Sequence, residues 1–170
     1  MTKRYLVTGG TGFIGSVVTR ALVREGNYVR VIDDDSRGRR SRLDDIKDDF
    51  ELIQGDVRDA GTVFNAAKGM DSIIHMAFIN GTEFFYSKPE LVLDIAVKGM
   101  VNVIDACKRA DVGELVYASS SEVYQTPPAV PTDEAAPISL PNPLNPRLSY
   151  AGGKAIGELL AINHGRRGFD

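Results

Sequence analysis

Thr8-Gly9-Gly10-Thr11-Gly12-Phe13-Ile14-Gly15 follows an apolar strand, Tyr5 to Thr8, and opens an amphipathic helix, Phe13 to Glu25, that Gly26 ends. Strand, glycine loop and helix in that order make a seat for a diphosphate. Gly9 permits the tight turn, Gly12 lets backbone approach the phosphates, Gly15 lets helix and strand pack closely, and the positive helix end faces the anion. A second strand, Tyr28 to Asp33, ends on a carboxylate at the distance expected of a ribose-binding acid. The pair predicts a dinucleotide site in which Gly9, Gly12, Phe13, Ile14, Gly15 and Asp33 are the first contacts.

Outward from that loop, strand and helix patterns alternate. Phe50 to Gly55 reads as a third strand, Asp59 to Lys68 as a helix, Ser72 to Met76 as a fourth strand, Leu91 to Arg109 as a long helix and Glu114 to Ala118 as a fifth strand. A charged stretch after Asp33 has room for a short helix. Such alternation requires right-handed crossovers and predicts an α/β fold, a parallel sheet covered on both faces with ligands at the carboxyl ends of the strands. Every motif singled out below falls at such an end.

Composition agrees. With 170 residues, 43% of them apolar, the chain can bury one core as a single soluble domain. Acidic and basic residues number 23 and 20, and a net charge of −3 sets up no field for nucleic acid or an anionic membrane. The first strand begins next to Met1, and no apolar run approaches the roughly 18 residues of a membrane span, so a cytoplasmic location is expected. Cys107 is the single cysteine and reads as helix packing; no disulfide within the chain and no metal site are expected. Asn80-Gly81-Thr82 matches a glycosylation sequon by chance.

Asp33 favours NAD over NADP, because a 2′-phosphate about 4 Å from a carboxylate meets a repulsion of roughly 1 to 4 kcal/mol. Arg37, Arg39 and Arg40 close behind are the counter-argument, since arginines there can hold such a phosphate; the plainer reading is a solvated basic loop offset by Asp34, Asp35, Asp44 and Asp45.

The chemistry is carried by Tyr150-Ala151-Gly152-Gly153-Lys154. Four residues apart on a helix, phenol and ammonium share a face, and the cation is expected to favour the phenolate, making Tyr150 a base. By itself this spacing is a weak signal. Upstream, a buried strand stops in Ala118-Ser119-Ser120-Ser121-Glu122, three hydroxyls and a carboxylate that are costly to bury unless something polar meets them. A substrate oxygen is one such partner, and helix-capping or turn-forming serines are the plainer alternative.

Taken together, the glycine loop, Asp33, Gly55-Asp56-Val57-Arg58-Asp59, His75-Met76-Ala77-Phe78, Ser119-Ser120-Ser121-Glu122-Val123-Tyr124, and Tyr150 with Lys154 resemble the extended short-chain dehydrogenase/reductase family, specifically its NAD-dependent nucleotide-sugar epimerases and dehydratases. The resemblance covers essentially the whole chain. It implies a Rossmann-type doubly wound sheet, with Asp56 and Val57 at the adenine and Ala77 and Phe78 along the dinucleotide channel. It also implies Lys154 on the nicotinamide ribose, Ser120 on the reacting sugar oxygen, and a homodimer formed through the long helix and the Tyr150 helix. Tyr150 would deprotonate a nucleotide-sugar substrate, usually at C4, as hydride passes to NAD, giving a transient ketosugar. Epimerisation, loss of water as in a 4,6-dehydratase, or decarboxylation then depends on the next group. Ser121 and Glu122 are the candidates for that step, or Glu122 is structural. Epimerase ranks first, dehydratase second and decarboxylase third. A non-catalytic NAD-binding or redox-sensing module is the competing class, and a simple alcohol dehydrogenase a further one. His75 reads as strand-end packing and His164 as solvated.

Three departures stand out: Ala96 where the family usually has asparagine, Gln125 for a common glycine, and Gly153 for a frequent serine. A loop from Gln125 to Arg147 holds seven of the eight prolines and is placed to cover a substrate. The chain stops at Asp170, where the resemblance implies a sixth strand and a substrate-binding domain. The expectation is one dinucleotide-binding domain over residues 1–170, a fragment of a longer protein, with the fifth strand left as an exposed edge.

Overall fold

In a computed structural model, residues 2–166 are described. The expected domain boundary at Asp170 lies outside the described residues. Five parallel strands, β1 (Arg4–Thr8), β2 (Tyr28–Asp33), β3 (Glu51–Gln54), β4 (Ser72–His75) and β5 (Glu114–Tyr117), form one sheet in the order β3-β2-β1-β4-β5. The order reverses at β1, whose Thr8 is in register with Ile32 of β2 on one side and His75 of β4 on the other. Ligands of open α/β sheets gather beyond such a switch point.

The apolar runs of the strands have a simple cause: both faces are covered. Leu6 and Val7 are adjacent in β1, point to opposite faces and are both fully buried. Leu6, Ile32 and Ile73 pack with helices α2 (Ala60–Ala67) and α4 (Pro89–Ala110). Val7, Val29 and Val31 pack with Leu22 and Val23 of α1 (Phe13–Arg24). Helix boundaries follow local chemistry. The Asp59 carboxylate accepts the Thr62 N–H at 2.6 Å and caps α2, whereas α4 starts on Pro89, whose missing N–H is no loss in a first turn.

Expected and observed strands agree to within one or two residues, and the charged stretch holds a 3-10 helix, Arg40–Ile46. Sequence periodicity misses α3 (Thr82–Ser87), a six-residue helix between β4 and α4. Residues 125–147 contain neither helix nor strand, as the prolines lead one to expect. Gln125, the residue standing in for glycine, holds φ +51° and ψ −101°. An L side chain is strained there, and the structure gives the physical reason that glycine suits the position. No helix among the described residues is long and apolar enough to cross a membrane. β5 is one edge of the sheet, as expected.

Helix α5 (Leu148–Gly165) lies against α4 and β5. The other two departures meet here: a Cβ added to Gly153 would fall 2.6 Å from the Ala96 Cβ and 3.1 Å from Phe78. The missing asparagine and the missing serine are therefore one contact, at which α4 and α5 approach closely. Gly152 differs, since a Cβ there would meet only Leu140, at 3.9 Å. Adjacent glycines should consequently respond with opposite sign. Gly152→Ala should raise stability by about 1 kcal/mol through helix propensity, and Gly153→Ala should lower it by roughly 1–3 kcal/mol through overpacking. Chemical denaturation of the two variants checks this.

Candidate functional site

A cavity of about 430 Å³ opens where the carboxyl ends of β1, β2 and β4 meet. Twelve of the residues singled out from sequence line it: Gly9, Gly12, Phe13, Ile14, Gly15, Asp33, Asp56, Val57, Ala77, Phe78, Tyr150 and Lys154. Ser120, Ser121 and Glu122 are not in its lining, whereas their neighbour Ser119 is.

The loop end of the cavity is built from close approaches. Gly9 holds φ +72°, and a Cβ there would fall 2.8 Å from the Ala77 backbone. A Cβ on Gly15 would run into the Gly9 carbonyl oxygen, so α1 can begin this near β1 only with glycine. No side chain caps α1 at Gly12, which leaves the N–H groups of its first turn beside the cavity for an anion. Asp33 is buried, and its two oxygens accept the Thr11 and Asp35 backbone N–H groups, each at 2.9 Å. A carboxylate has about four acceptor positions, so the same group can fix both loops and still receive ribose hydroxyls. Asp56 is paired with Arg58, and that guanidinium holds its carboxyl below the usual range. A side-chain-free cradle with open helical N–H groups and a buried acceptor beside it fits a dinucleotide.

At the other end, the Tyr150 phenol ring packs edge-on to Phe78, 5.0 Å between centroids, and against Phe85 at 5.3 Å. Burial holds the phenol above its ordinary pKa; the nearby Ser120 hydroxyl acts in the opposite direction, and the Glu122 charge pushes it further up. Lys154 is buried, its ammonium 2.5 Å from the Ala118 carbonyl oxygen, 4.1 Å from the Phe78 ring centre and 5.8 Å from that of Tyr150. Desolvation lowers its pKa to about 8. The expected help from the ammonium to the phenolate is thus not the dominant influence here: burial is, and Lys154 is directed at backbone.

The serine cluster divides. Ser119 bonds the Glu158 carboxylate, Ser120 accepts the Glu122 N–H at 3.3 Å and caps the 3-10 helix Ser121–Tyr124, and Ser121 is exposed. Glu122 accepts from one Arg147 nitrogen with both oxygens, at 2.9 and 3.2 Å, and Arg147 lies over the Phe85 ring. Arg147, Phe85 and Arg42 are the site's neighbours that sequence reading did not place; each reaches it from a separate loop or short helix, so no local pattern announces them, whereas Arg37, noted in the sequence beside the ribose carboxylate, lines the cavity. His75 is fully buried. The Thr8 hydroxyl accepts the Met76 and Ala77 N–H groups at 3.1 and 3.0 Å, so its own proton goes to His75 Nδ1, 2.7 Å away. Burial, with the Lys154 charge, lowers the His75 pKa to about 3, and the imidazole is a neutral packing group.

A sequence profile of the NAD dependent epimerase/dehydratase family matches residues 5–169. The UDP-glucose 4-epimerase of Mycolicibacterium smegmatis is 36% identical over 160 residues, covering 92% of this chain and 49% of that protein. The dTDP-glucose 4,6-dehydratase of Mycobacterium tuberculosis is 34% identical over 160 residues, covering 92% and 47%. Among solved structures, DesIV, a dTDP-glucose 4,6-dehydratase from Streptomyces venezuelae solved with NAD bound, is 30% identical and superposes with a TM-score of 0.85 over 96% of this chain and 52% of that one. The chain spans about half the length of the curated relatives it matches.

The buried ammonium sets a pH dependence. Lys154 has a folded pKa of about 8, below its unfolded value of 10.5, so between those limits the unfolded chain binds more protons and stability rises with pH. The contribution is complete above the unfolded value and is lost as pH falls through about 8. Unfolding free energies from pH 7 to 10 should show the wild type gaining up to roughly 3 kcal/mol relative to Lys154→Met. Parallel curves for the two proteins would refute it.

Proposed function

Because the chain belongs to the NAD dependent epimerase/dehydratase family, we propose that it carries the cofactor-binding and proton-transferring part of a nucleotide-sugar 4-epimerase working through a transient 4-ketosugar. NAD, the family's cofactor, would be held by the glycine loop, Asp33 and Lys154 and would supply the hydride acceptor. Tyr150, as phenolate, takes the proton of the C4 hydroxyl, and Ser120, near enough to the phenol to lower its pKa, donates to the same sugar oxygen. The positive charge that Lys154 brings below pH 8 favours the phenolate once the site is filled and water is excluded. Turning of the ketosugar and return of hydride to its other face gives the epimer.

The observation that supports epimerisation over elimination is the Glu122–Arg147 ion pair. Loss of water from C5 and C6 needs a carboxyl group that exchanges protons with the sugar, and here both oxygens of Glu122 accept from a guanidinium. Dehydration is the second reading and decarboxylation the third. A non-catalytic NAD-binding module is the alternative from another class.

Incubation of the whole gene product with NAD and UDP, GDP, CDP and dTDP sugars tests the assignment by product mass and chromatographic mobility. A shifted peak at constant mass is expected. Loss of water or of carbon dioxide would replace the epimerase with the dehydratase or the decarboxylase, and NAD binding without any sugar turnover would favour the non-catalytic module. Tyr150→Phe should reduce turnover about 10²- to 10⁴-fold with NAD affinity kept, and Glu122→Gln should leave most of it.

The partner in this reading is a second copy of the chain, meeting it across α4 and α5, which expose Leu93, Val101, Ile156, Leu159 and Ile162. Sedimentation should give a dimer that Leu159→Glu converts to monomer; a monomeric wild type would overturn the assignment.

A further inference from the structure

The basic loop after β2 has no role in the chemistry above, and its arginines differ in what they touch. Arg40 pairs with Asp35 at 2.6 Å, and Arg42 donates to the Thr11 carbonyl oxygen at 3.0 Å. Arg37 lines the cavity and makes no hydrogen bond or ion pair among the described residues. Its guanidinium lies over the Phe84 ring of α3, 5.0 Å from the centroid, with Nη1 3.3 Å from the point a Cβ on Gly81 would occupy. Gly81, at φ +146°, leaves room for that approach.

Topology gives this contact its meaning. Arg37 departs from the end of β2, and Gly81 and Phe84 follow the end of β4, whereas the glycine loop belongs to β1, between those strands. The Arg37 side chain therefore reaches across the loop end of the cavity. The cradle itself offers only backbone N–H groups, and the other cations in the lining are engaged, Arg42 with Thr11 and Lys154 with Ala118. An exposed guanidinium on an aromatic face is held weakly, and its planar fork suits two phosphate oxygens at once. We propose that Arg37 is a cofactor-recognition residue, resting on Phe84 and transferring to the diphosphate of the dinucleotide, which it closes over from the side opposite the glycine loop. This rests on the reading of the cavity as the NAD site. A 2′-phosphate is the weaker ligand for it, because Asp33 and Asp34 both line the cavity near the ribose end.

Calorimetric titration of the whole protein with NAD, ADP-ribose, adenosine and NADP tests the assignment in wild type, Arg37→Gln and Phe84→Leu. Arg37→Gln should weaken NAD and ADP-ribose by about tenfold or more, leave adenosine unchanged, and lose less at high salt. Phe84→Leu removes the resting place alone and should bind NAD at least as tightly as wild type. Unchanged NAD affinity in Arg37→Gln overturns the proposal, as does equal weakening by Phe84→Leu, which would make the contact structural. Selective loss of NADP binding would assign Arg37 to the 2′-phosphate instead. A wild type that binds none of the four overturns the cofactor reading itself, and this proposal with it.

Discussion

One buried hydroxyl holds the functional end of the sheet together. Thr8 closes β1, and its oxygen receives the backbone N–H groups of Met76 and Ala77 while giving its proton to His75. Three polar groups of β4 and its exit meet on one atom; Met76 N–H also reaches the Thr8 carbonyl oxygen, whereas the Ala77 N–H or the imidazole nitrogen left unpaired there would cost about 1–3 kcal/mol. The exit of β4 is thereby drawn toward β1 until Ala77 comes so near Gly9 that no side chain fits between them. Cradle, channel wall and the start of α3 all take their positions from that closure. The neutral imidazole is part of it: a ring that accepts from Thr8 keeps its proton on Nε2 and stays uncharged beside a buried ammonium.

Charge at the reacting end is arranged by burial more than by pairing. The Lys154 ammonium is desolvated and satisfied by one carbonyl oxygen, the Tyr150 phenol is enclosed by two phenylalanines, and the Glu122 carboxylate already has an arginine. Such a site is held in a resting state in which the phenol keeps its proton. A positive charge brought beside the phenol would move that balance toward the phenolate.

Much of the fold and the cofactor cradle was legible because both depend on local sequence. Two-sided burial writes apolar runs into Tyr5 to Thr8 and Tyr28 to Asp33, amphipathic periods write α1 and α4, and the phosphate seat needs its glycines in one contiguous stretch. Helix α3 left no such mark: six residues, opening after Gly81 and holding Phe84, Phe85 and Tyr86 in succession, show no helical period. What the serines and Glu122 do was equally hidden, since Ser119 meets Glu158 and Glu122 meets Arg147 across long stretches of chain. Arg37 could be noticed as a cation near the ribose carboxylate, but its reach to Phe84 depends on two loops that only the sheet order makes neighbours.

The contact between Ala96 and Gly153 also limits the routes by which this sequence can change. Gly153 has no room for a larger residue while Ala96 and Phe78 stay where they are, since an added Cβ would fall 2.6 Å from one and 3.1 Å from the other. Substitutions at the two positions should therefore change stability non-additively, as expected of residues in contact. Larger residues at both positions together would require α4 and α5 to stand further apart than they do here. The small pair sets how closely the two helices stand.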